Sequence, residues 1–298
     1  MRQPELAEVV KNSLETDYGW EVHSIQPSGQ GVENIVFAVI EKNKGLFAVR
    51  SPFPAGEHSE ERMAGGKTFL KKEYELNRHC AGYGIPVPRM HVLHLSSEIS
   101  YLVSEFIEGD EMAIPDEDIG FLARSIHKIP VEGVPIFSRS RNIAFYIAER
   151  ISRRLDHLRK NGYLLPDFLP VNKLESILAL DRTEPCLLHL DLRPANIIGR
   201  NGKIKALYDW DNALIGSPAL ELMRIFECGE LEADDFLKGY GSTDFLGQIP
   251  ETALLLYRLD AALMLAVVFL IDLKDEEKGR NSLSRVQDLI YEVGGLAI

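Results

Sequence analysis

Cysteine is scarce in this chain, and its few cysteines lie far apart. Only Cys80, Cys186 and Cys228 occur among 298 residues. None of them forms a C-x-x-C pair or a zinc-type spacing, which argues against a metal or redox motif built from cysteine. This usage fits a reduced, intracellular setting, and we expect a cytoplasmic protein.

Basic residues are in deficit. The chain has 33 lysines and arginines against 45 aspartates and glutamates, for a formal net charge of −12. This balance argues against nucleic acid or an anionic membrane as the main partner. It weakly favours a cationic small molecule, although many acidic proteins use their charge only to stay soluble.

Long hydrophobic runs are missing. The most hydrophobic segment, Ala261–Ile271, has eleven residues, and Arg258, Asp260 and Asp272 stand close to it. A helix that spans a bilayer needs about 20 residues, so we expect a buried helix here. The N-terminal stretch MRQPELAEVVKNSLETD is polar and helical in pattern, without the apolar core of a signal peptide.

The patterns along the 298 residues fit two packed lobes. Up to Gly109 they predict a helix, three strands, a second helix and two more strands. Beyond Gly109 we predict helices over roughly 116–128, 140–160, 171–180, 218–228, 232–240, 250–273 and 282–293, interrupted by short strands. The fold class is therefore α+β, with an N-terminal antiparallel β-sheet lobe at 1–108 and a larger, mainly helical C-terminal lobe at 109–298.

Two glycine-rich stretches match phosphate loops only in part. AGGKT at 64–68 ends like a P-loop, but Glu61 stands where the first glycine of G-x-x-x-x-G-K-T is needed. GQGVEN begins as G-x-G-x-x-G but ends in Asn34, which weakens a dinucleotide-binding interpretation. Between two strands it predicts a hairpin whose Gly29 and Gly31 let backbone N–H groups approach a phosphate, although most such hairpins are only turns.

A stronger signal is the spacing of His189, Asp191 and Asn196, which is H-x-D-x-x-x-x-N, with Asp209 following thirteen residues later in ALYDWD. In phosphoryl transfer, one Asp accepts the hydroxyl proton while an Asn and a second Asp hold magnesium against the phosphates. Amide and carboxylate oxygens are the hard ligands that Mg²⁺ prefers. Either Asp191 or Asn196 alone would more often cap a turn, but the three residues at this spacing favour catalysis.

HLDLRPAN followed by LYDWDNALIGSPALEL resembles the aminoglycoside phosphotransferase and choline kinase-like small-molecule kinases. That family combines H-x-D-x-x-x-x-N with I-D-W and G-D-P-x-x-D-L. Trp210 after the metal-binding Asp, and the missing D-F-G and A-P-E signatures, separate the chain from protein kinases. The resemblance covers nearly the whole chain. It implies a two-lobed protein-kinase-like fold, Mg²⁺, and ATP as the nucleotide, with GTP as an alternative.

The resemblance also implies a nucleotide site in the N-terminal lobe. Arg50 takes the place of the family's phosphate-contacting Lys and can bind phosphate in a forked geometry, whereas the rival Lys44 lies in a polar turn. Glu73 matches the helix Glu that pairs with this cation, although an ordinary solvated helix acid is the alternative. The backbones of Ser104 and Phe106 would meet the adenine edge.

The C-terminal lobe departs from the family pattern in two places. Ser217 and Glu221 replace the aspartates of Gly-Asp-Pro and Asp-Leu, which predicts a rearranged brace behind the catalytic loop. His127 also matches a family position, where we expect a hydrogen-bonded structural histidine. Arg193 stands two residues after Asp191, where protein kinases often carry a Lys that contacts the γ-phosphate. The two alternatives for its side chain are therefore contact with phosphate and exposure to solvent.

By this resemblance Asp191 orients or deprotonates a hydroxyl of a small molecule, while Asn196 and Asp209 hold Mg²⁺. Among the possible acceptors, an aminoglycoside is the first candidate. Its amines would bind acidic side chains, although each of these is more simply a solvated acid; the candidates are Glu230, Glu232, Asp234, Asp235 and Asp260. Choline, amino alcohols, homoserine-like amino acids, sugars and macrolides stay open. A catalytically silent nucleotide-binding module and a protein kinase are the rival functions. We expect a monomer or homodimer.

Overall fold

The computed structural model describes residues 3–30, 34–53, 60–136 and 142–296. Contacts divide the chain into two compact units. Unit 1 consists of Met1–Ile114 and Ala195–Asp211, and unit 2 of Pro115–Pro194 and Asn212–Ile298. The sequence placed a single boundary at 108/109, whereas this division falls at 114/115 and returns a short later segment to unit 1.

Unit 1 is built on an antiparallel five-stranded sheet in the order β1-β2-β3-β5-β4. Its elements are α1 (Gln3–Tyr18), β1 (Val22–Gln30), β2 (Asn34–Glu41), β3 (Gly45–Pro52), α2 (Glu60–Ala81), β4 (Met90–Leu95), β5 (Ser100–Glu105), β7 (Ile197–Arg200) and β8 (Lys203–Leu207). The predicted order of helix, three strands, helix and two strands is confirmed. AGGKT lies inside α2, so it forms no phosphate loop.

The core of unit 1 follows from strand alternation. Every second residue of β2, namely Ile35, Phe37 and Val39, is buried, because successive side chains of a strand point to opposite faces. The apolar face of α1 joins the same cluster through Leu6 and Leu14. The helix thereby covers one face of the sheet, in which β3 is the central strand.

The β7–β8 hairpin belongs to unit 1 because its backbone is tied there. Asp110 N–H donates to Gly199 O at 3.0 Å, and Leu207 N–H donates to Pro86 O at 2.8 Å. Gly109 allows this approach, since a Cβ on it would lie 2.8 Å from Ile198 Cγ2. These contacts explain why 195–211 does not group with unit 2.

Unit 2 is mainly helical. It contains α3 (Asp116–His127), α4 (Ile143–Lys160), α5 (Val171–Leu178), β6 (Cys186–Leu188), β9 (Leu214–Gly216), α6 (Pro218–Cys228), α7 (Ala233–Tyr240), α8 (Glu251–Val267) and α9 (Glu276–Leu296). The helix α6 has standard boundaries: the Ser217 side chain accepts from Ala219 N–H, Pro218 starts the first turn, and Gly229 ends it at φ 63°. The strands β6 and β9 pair antiparallel.

The helices α3 and α7 approach closely because both carry glycine at the contact. A Cβ on Gly120 would lie 2.0 Å from Phe236 O, and one on Gly239 would lie 1.8 Å from Glu117 O. Larger side chains at these positions would force the helix backbones apart.

The helix predicted at 250–273, which contains the apolar run Ala261–Ile271, is found at Glu251–Asp272. The helix α8 continues through a π-helical turn at Val268–Asp272, giving 22 helical residues, within which an 18-residue stretch has a mean hydropathy of 2.2 and is half buried. By length and composition alone this helix could cross a membrane, but the core helices of other proteins meet the same two criteria. Two of its charged residues are paired, Arg258 with Glu227 at 2.8 Å and Asp260 with Arg150 at 2.6 Å. The part Glu251–Val267 carries ten buried residues, whereas the π-helical turn carries none.

Candidate active site

Arg50 lies among three carboxylates of unit 1. It occupies the middle of β3, paired with Val36 of β2 and Leu102 of β5. Its Nη1 is 3.4 Å from Glu73 Oε2, and its Nη2 is 3.3 Å from Asp209 Oδ1 and 3.0 Å from Asp211 Oδ2. We refer to Glu73, Asp209 and Asp211 as the acid cluster. The structure thus brings together three residues that the sequence selected and one that it did not.

Glu73 connects α2 to the segment that carries the other two acids. Its side chain is 2% exposed. It accepts hydrogen bonds from Trp210 N–H at 2.8 Å and from Asp209 N–H at 3.4 Å. Asp209 has φ 67°, a left-handed conformation that non-glycine residues rarely adopt and that persists only where the surroundings enforce it. Glu73 therefore helps to fix both the position and the backbone of Asp209.

Asn196 and Asp209 meet at the open end of the β7–β8 hairpin. Asn196 ends the turn before β7, and Tyr208 follows β8. Tyr208 N–H donates to Asn196 O at 2.9 Å, so the chain enters and leaves the hairpin side by side. The thirteen-residue spacing of the sequence is accounted for by this hairpin, which sets an amide and a carboxylate at one end.

The acid cluster fits a hard divalent cation. One carboxylate oxygen from each of its three residues lies within 4.8 Å of the others. Asp211 Oδ1 is buried and has no hydrogen-bond partner among the residues that the structure describes. Burial, then the neighbouring Asp209 and Glu73, raise the pKa of Asp211 to about 7 against the opposing effects of Arg50 and Lys72. A cation such as Mg²⁺ would satisfy this oxygen set.

Two cations border the cluster. Burial opposes the charge on Arg50, but Glu73, Asp211 and Asp209 outweigh it and raise the Arg50 pKa. Lys72 donates from Nζ to Asp211 O at 2.7 Å, and burial lowers its pKa to about 8. Sequence reasoning missed Lys72 and Asp211. The only available signal was their adjacency to Glu73 and Asp209.

In unit 2, Asp191 lies in a loop that Glu221 braces. Asp191 N–H donates to Nδ1 of the buried His189 at 3.2 Å. Leu190 N–H donates to Glu221 Oε1 at 2.5 Å, and Leu190 has φ 60°. Glu221 also contacts His127 Nε2 at 2.7 Å. Burial disfavours its charge, but His127, His189 and the Leu190 N–H together outweigh this effect and lower the Glu221 pKa.

Two arginines flank the Asp191 carboxylate. Arg224 Nη2 and Arg193 Nε each lie 3.6 Å from Asp191 Oδ1. Arg193 is 44% exposed and also reaches Glu230 at 3.5 Å, so it points at acids of its own unit. Arg224, from α6, is buried. Sequence reasoning missed Arg224, which no motif marked.

The remaining predicted residues are placed as follows. Ser104 is buried in β5, and the half-buried Phe106 follows that strand. Gly29 pairs with Val36 in β1–β2, with room for a Cβ at 3.9 Å, and Gly31 lies outside the described residues. The Lys44 Nζ lies over the Trp20 ring, 5.0 Å from its centre, rather than near the acid cluster.

Comparisons with known proteins agree with this arrangement. The model of the phosphotransferase enzyme family matches residues 24–255, and the chain belongs to that family. It is thus a phosphotransferase, as the motif resemblance predicted. A sequence search of curated proteins returns no match.

Similar solved structures show the fold. A protein assigned as a fructosamine-3-kinase from Haemophilus somnus 129PT is 16% identical, with a TM-score of 0.67 over 95% of this chain and 96% of its own. A thermostable mutant of aminoglycoside phosphotransferase APH(4)-Ia, with AMP-PNP and hygromycin B, is 17% identical, with a TM-score of 0.66 over 96% and 98%. A GDP and kanamycin complex of APH(2")-IIia is 18% identical, with a TM-score of 0.62 over 95% and 98%. The predicted α+β, protein-kinase-like fold is confirmed.

Proposed function

We propose that this phosphotransferase moves the γ-phosphoryl group of ATP, in the presence of Mg²⁺, onto a hydroxyl group of a small molecule. The observation that carries the proposal is the contact of Arg50 with all three residues of the acid cluster. Such a cation beside convergent carboxylates supplies the two things phosphoryl transfer needs most, positioning and charge neutralisation.

In unit 1 we assign separate residues to the nucleotide phosphates, the metal ion and the base. Arg50, held by Glu73, neutralises the nucleotide phosphates. Asp209 and Asn196 would hold Mg²⁺, with Asp211 close enough to add an oxygen. When bound, the ion withdraws charge from the phosphate oxygens. The backbones of Ser104 and Phe106, at the end of β5, meet the base.

In unit 2 Asp191 accepts the proton of the acceptor hydroxyl, a step that contributes about 10²- to 10⁴-fold in rate. The backbone at Asp191 is held by its own N–H bond to His189 and by the bond between Glu221 and the adjacent Leu190 N–H. This restraint limits the orientations open to the carboxylate. Positioning of this kind is a large part of the catalytic effect.

Two acceptor classes are candidates. Aminoglycosides are one, because two of the similar structures contain hygromycin B or kanamycin. A hydroxylated metabolite without excess amines is the other, since two of the five acids expected to receive amines are engaged by arginines, Asp260 by Arg150 and Glu230 by Arg193. This pairing favours the second class. We further propose a cytoplasmic monomer or homodimer that uses ATP, with GTP as an alternative in view of the GDP-bound relative.

The test is ATP consumption by the purified chain with aminoglycosides, choline, amino alcohols, hydroxy acids and sugars. We expect turnover with one class, and we expect Asp191→Asn to reduce it by about 10²-fold or more while ATP affinity stays normal. Asp244→Asn, an exposed acid of the same unit, is the control. Full turnover in Asp191→Asn would refute the role of Asp191. ATP binding without turnover would indicate a silent module, and turnover with protein alone a protein kinase.

A further inference from the structure

Arg224 is a buried cation with unused donors beside Asp191. It is 5% exposed. One end of its guanidinium is engaged, with Nη2 at 3.6 Å from Asp191 Oδ1. Its Nη1 has no hydrogen-bond partner within the described parts of the chain. A guanidinium carries five N–H donors, and leaving buried donors unpaired is unfavourable.

Arg224 lines a pocket of unit 2 that also includes Asp191. The lining residues are Leu190, Asp191, Leu192, Arg193, Glu221, Arg224, Ile225, Cys228, Glu230 and Leu231. Each acid of this lining already has a partner. Asp191 and Glu230 pair with Arg193, and Glu221 pairs with His127 and with a backbone N–H. An amine entering the pocket would have to compete with these bonds.

Positive charge is in excess behind the pocket. Arg150 binds both Asp260 oxygens at 2.8 and 2.6 Å, and Arg154 binds the same side chain at 2.8 Å. Asp260 is therefore occupied by two arginines, which leaves Asp191 for Arg224. Burial, and then the positive charges of Arg150 and Arg224, lower the Arg154 pKa to about 10 despite Asp260. In this group three guanidiniums contact two carboxylates, and Arg224 reaches only that of Asp191.

We propose that the acceptor is a hydroxylated carboxylic acid, whose carboxylate binds Arg224 and whose hydroxyl faces Asp191. The inference rests on the proposed function and narrows its acceptor. Forked donors of arginine match a carboxylate well, and the contact fixes the distance between the acid group and the reacting hydroxyl. The hydroxyl oxygen forms the new bond to the γ-phosphorus, the β–γ bridging bond breaks, ADP leaves with that electron pair, and Asp191 takes the proton.

Arg193 is less suited to this role. It is half exposed and already bridges Asp191 and Glu230. An anion binding there would meet two carboxylates at the same guanidinium. Arg224 instead contacts Asp191 through Nη2 and keeps Nη1 without a partner among the described residues, so a second anion would not have to displace the first.

The experiment compares acceptors that differ only in the acid group. Gluconate and sorbitol form one pair, and pantothenate and panthenol another, with kanamycin and choline as cationic acceptors. For the wild-type chain we expect a KM at least tenfold lower for the acid of a pair. Arg224→Gln should raise the KM of the acids to that of the neutral partners, so that the ratio of the two KM values within a pair falls to about one. Arg224→Lys, which keeps the charge without the fork, should fall between them.

The control variant is Arg280→Gln, an exposed arginine of α9 that pairs only with Glu276 among described residues. It should leave the KM values of gluconate, sorbitol, pantothenate and panthenol unchanged. If Arg224→Gln does not fold, Arg224→Lys carries the comparison. A kcat that falls equally for acids and neutrals, with KM unchanged, would show that Arg224 only orients Asp191 and would overturn the inference.

Other outcomes separate the two proposals. Phosphorylation of neutral or cationic acceptors, but not of acids, would overturn the acid inference and leave the phosphotransferase proposal standing. Absence of transfer to every acceptor would overturn the proposed acceptor chemistry. In that case, calorimetric titration of gluconate and sorbitol into the wild-type chain and into Arg224→Gln tests the inference. Equal binding of the two compounds to the wild-type chain refutes it. Gluconate binding that is present in the wild-type chain and lost in Arg224→Gln supports it.

Discussion

The carboxylate of Glu73 accepts the backbone N–H of Trp210 at 2.8 Å, across 136 intervening positions of the chain. This bond joins the middle of α2 to the segment between Asp209 and Asp211. Because Glu73 also contacts Arg50 at 3.4 Å, a single side chain positions the cation of β3 and two acids of the cluster. The two tasks can be separated by mutation.

Glu73→Ala removes both the acceptor of the Trp210 N–H and the partner of Arg50. We expect the free energy of unfolding to fall by about 1–3 kcal/mol, since a buried donor is left unpaired. Glu73→Gln keeps an acceptor but loses the charge, so it should retain most stability while the Kd for ATP rises about tenfold, or about 1.4 kcal/mol.

Urea unfolding and nucleotide titration check these two results. The control is Glu75→Ala, a partly exposed acid of the same helix whose pair with Lys71 spans 3.8 Å, and it should stay within about 0.5 kcal/mol. Equal loss of stability in the Gln and Ala variants would mean that the ion pair, rather than the backbone bond, holds the segment.

Asp211 should make stability depend on pH in metal-free buffer. Its pKa is raised from 3.8 to about 7, with burial as the first cause. The folded state therefore binds this proton more tightly than the unfolded state, and its contribution is lost as pH rises from about 4 to about 7. Asp211→Asn removes the titration, so the stability of the variant relative to wild type should be higher at pH 8 than at pH 5.

Urea unfolding at both pH values, with a chelator present, measures this difference. Asp244→Asn, at an exposed position, should run parallel to wild type. Parallel curves for Asp211→Asn would show that the carboxyl titrates normally in the folded state. Added Mg²⁺ should reduce the effect by favouring the ionised form.

Glu221→Asp tests the brace behind Asp191. Glu221 reaches His127 Nε2 at 2.7 Å and Leu190 N–H at 2.5 Å, and a side chain shorter by about 1.5 Å cannot hold both. Release of Leu190 would displace the adjacent Asp191, so we expect kcat to fall by up to about 10²-fold with little change in the KM for ATP. Steady-state kinetics of Glu221→Asp, with the exposed Glu232→Asp as the control variant, measures this effect. An unchanged kcat in Glu221→Asp would mean that His189 alone positions the loop.

Gly120→Ala tests the close approach of α3 and α7. The new Cβ would meet Phe236 O at 2.0 Å, so the helices must separate. We expect a loss of about 1–3 kcal/mol in the free energy of unfolding. Gly247→Ala, where a Cβ would meet nothing within 4 Å, should have almost no effect. Thermal or urea unfolding of both variants is the measurement, and equal stability would show that the contact is not tight in solution.

Much of the fold could be predicted because its signals are local. The helix at 116–128 is found at Asp116–His127, and the helix at 218–228 is found at Pro218–Cys228. Periodic burial along one element, caps and glycine stops all lie within a few residues of each other. The helix predicted at 250–273 is likewise found at Glu251–Asp272, whereas the partners of its charged residues Arg258 and Asp260 are distant in sequence and could not be predicted.

The sequence by itself determined the family, the kinase-like fold and the H-x-D-x-x-x-x-N and Asp209 motif, since these depend on residue type at short spacing. Only the tertiary structure decided which charges meet. Arg50 and Asp211 are 161 positions apart, and Arg224 reaches Asp191 from another element. Coulomb interactions depend on distance in space, which no local period encodes, so the pairing of the acids and the free donors of Arg224 emerged only from the folded chain.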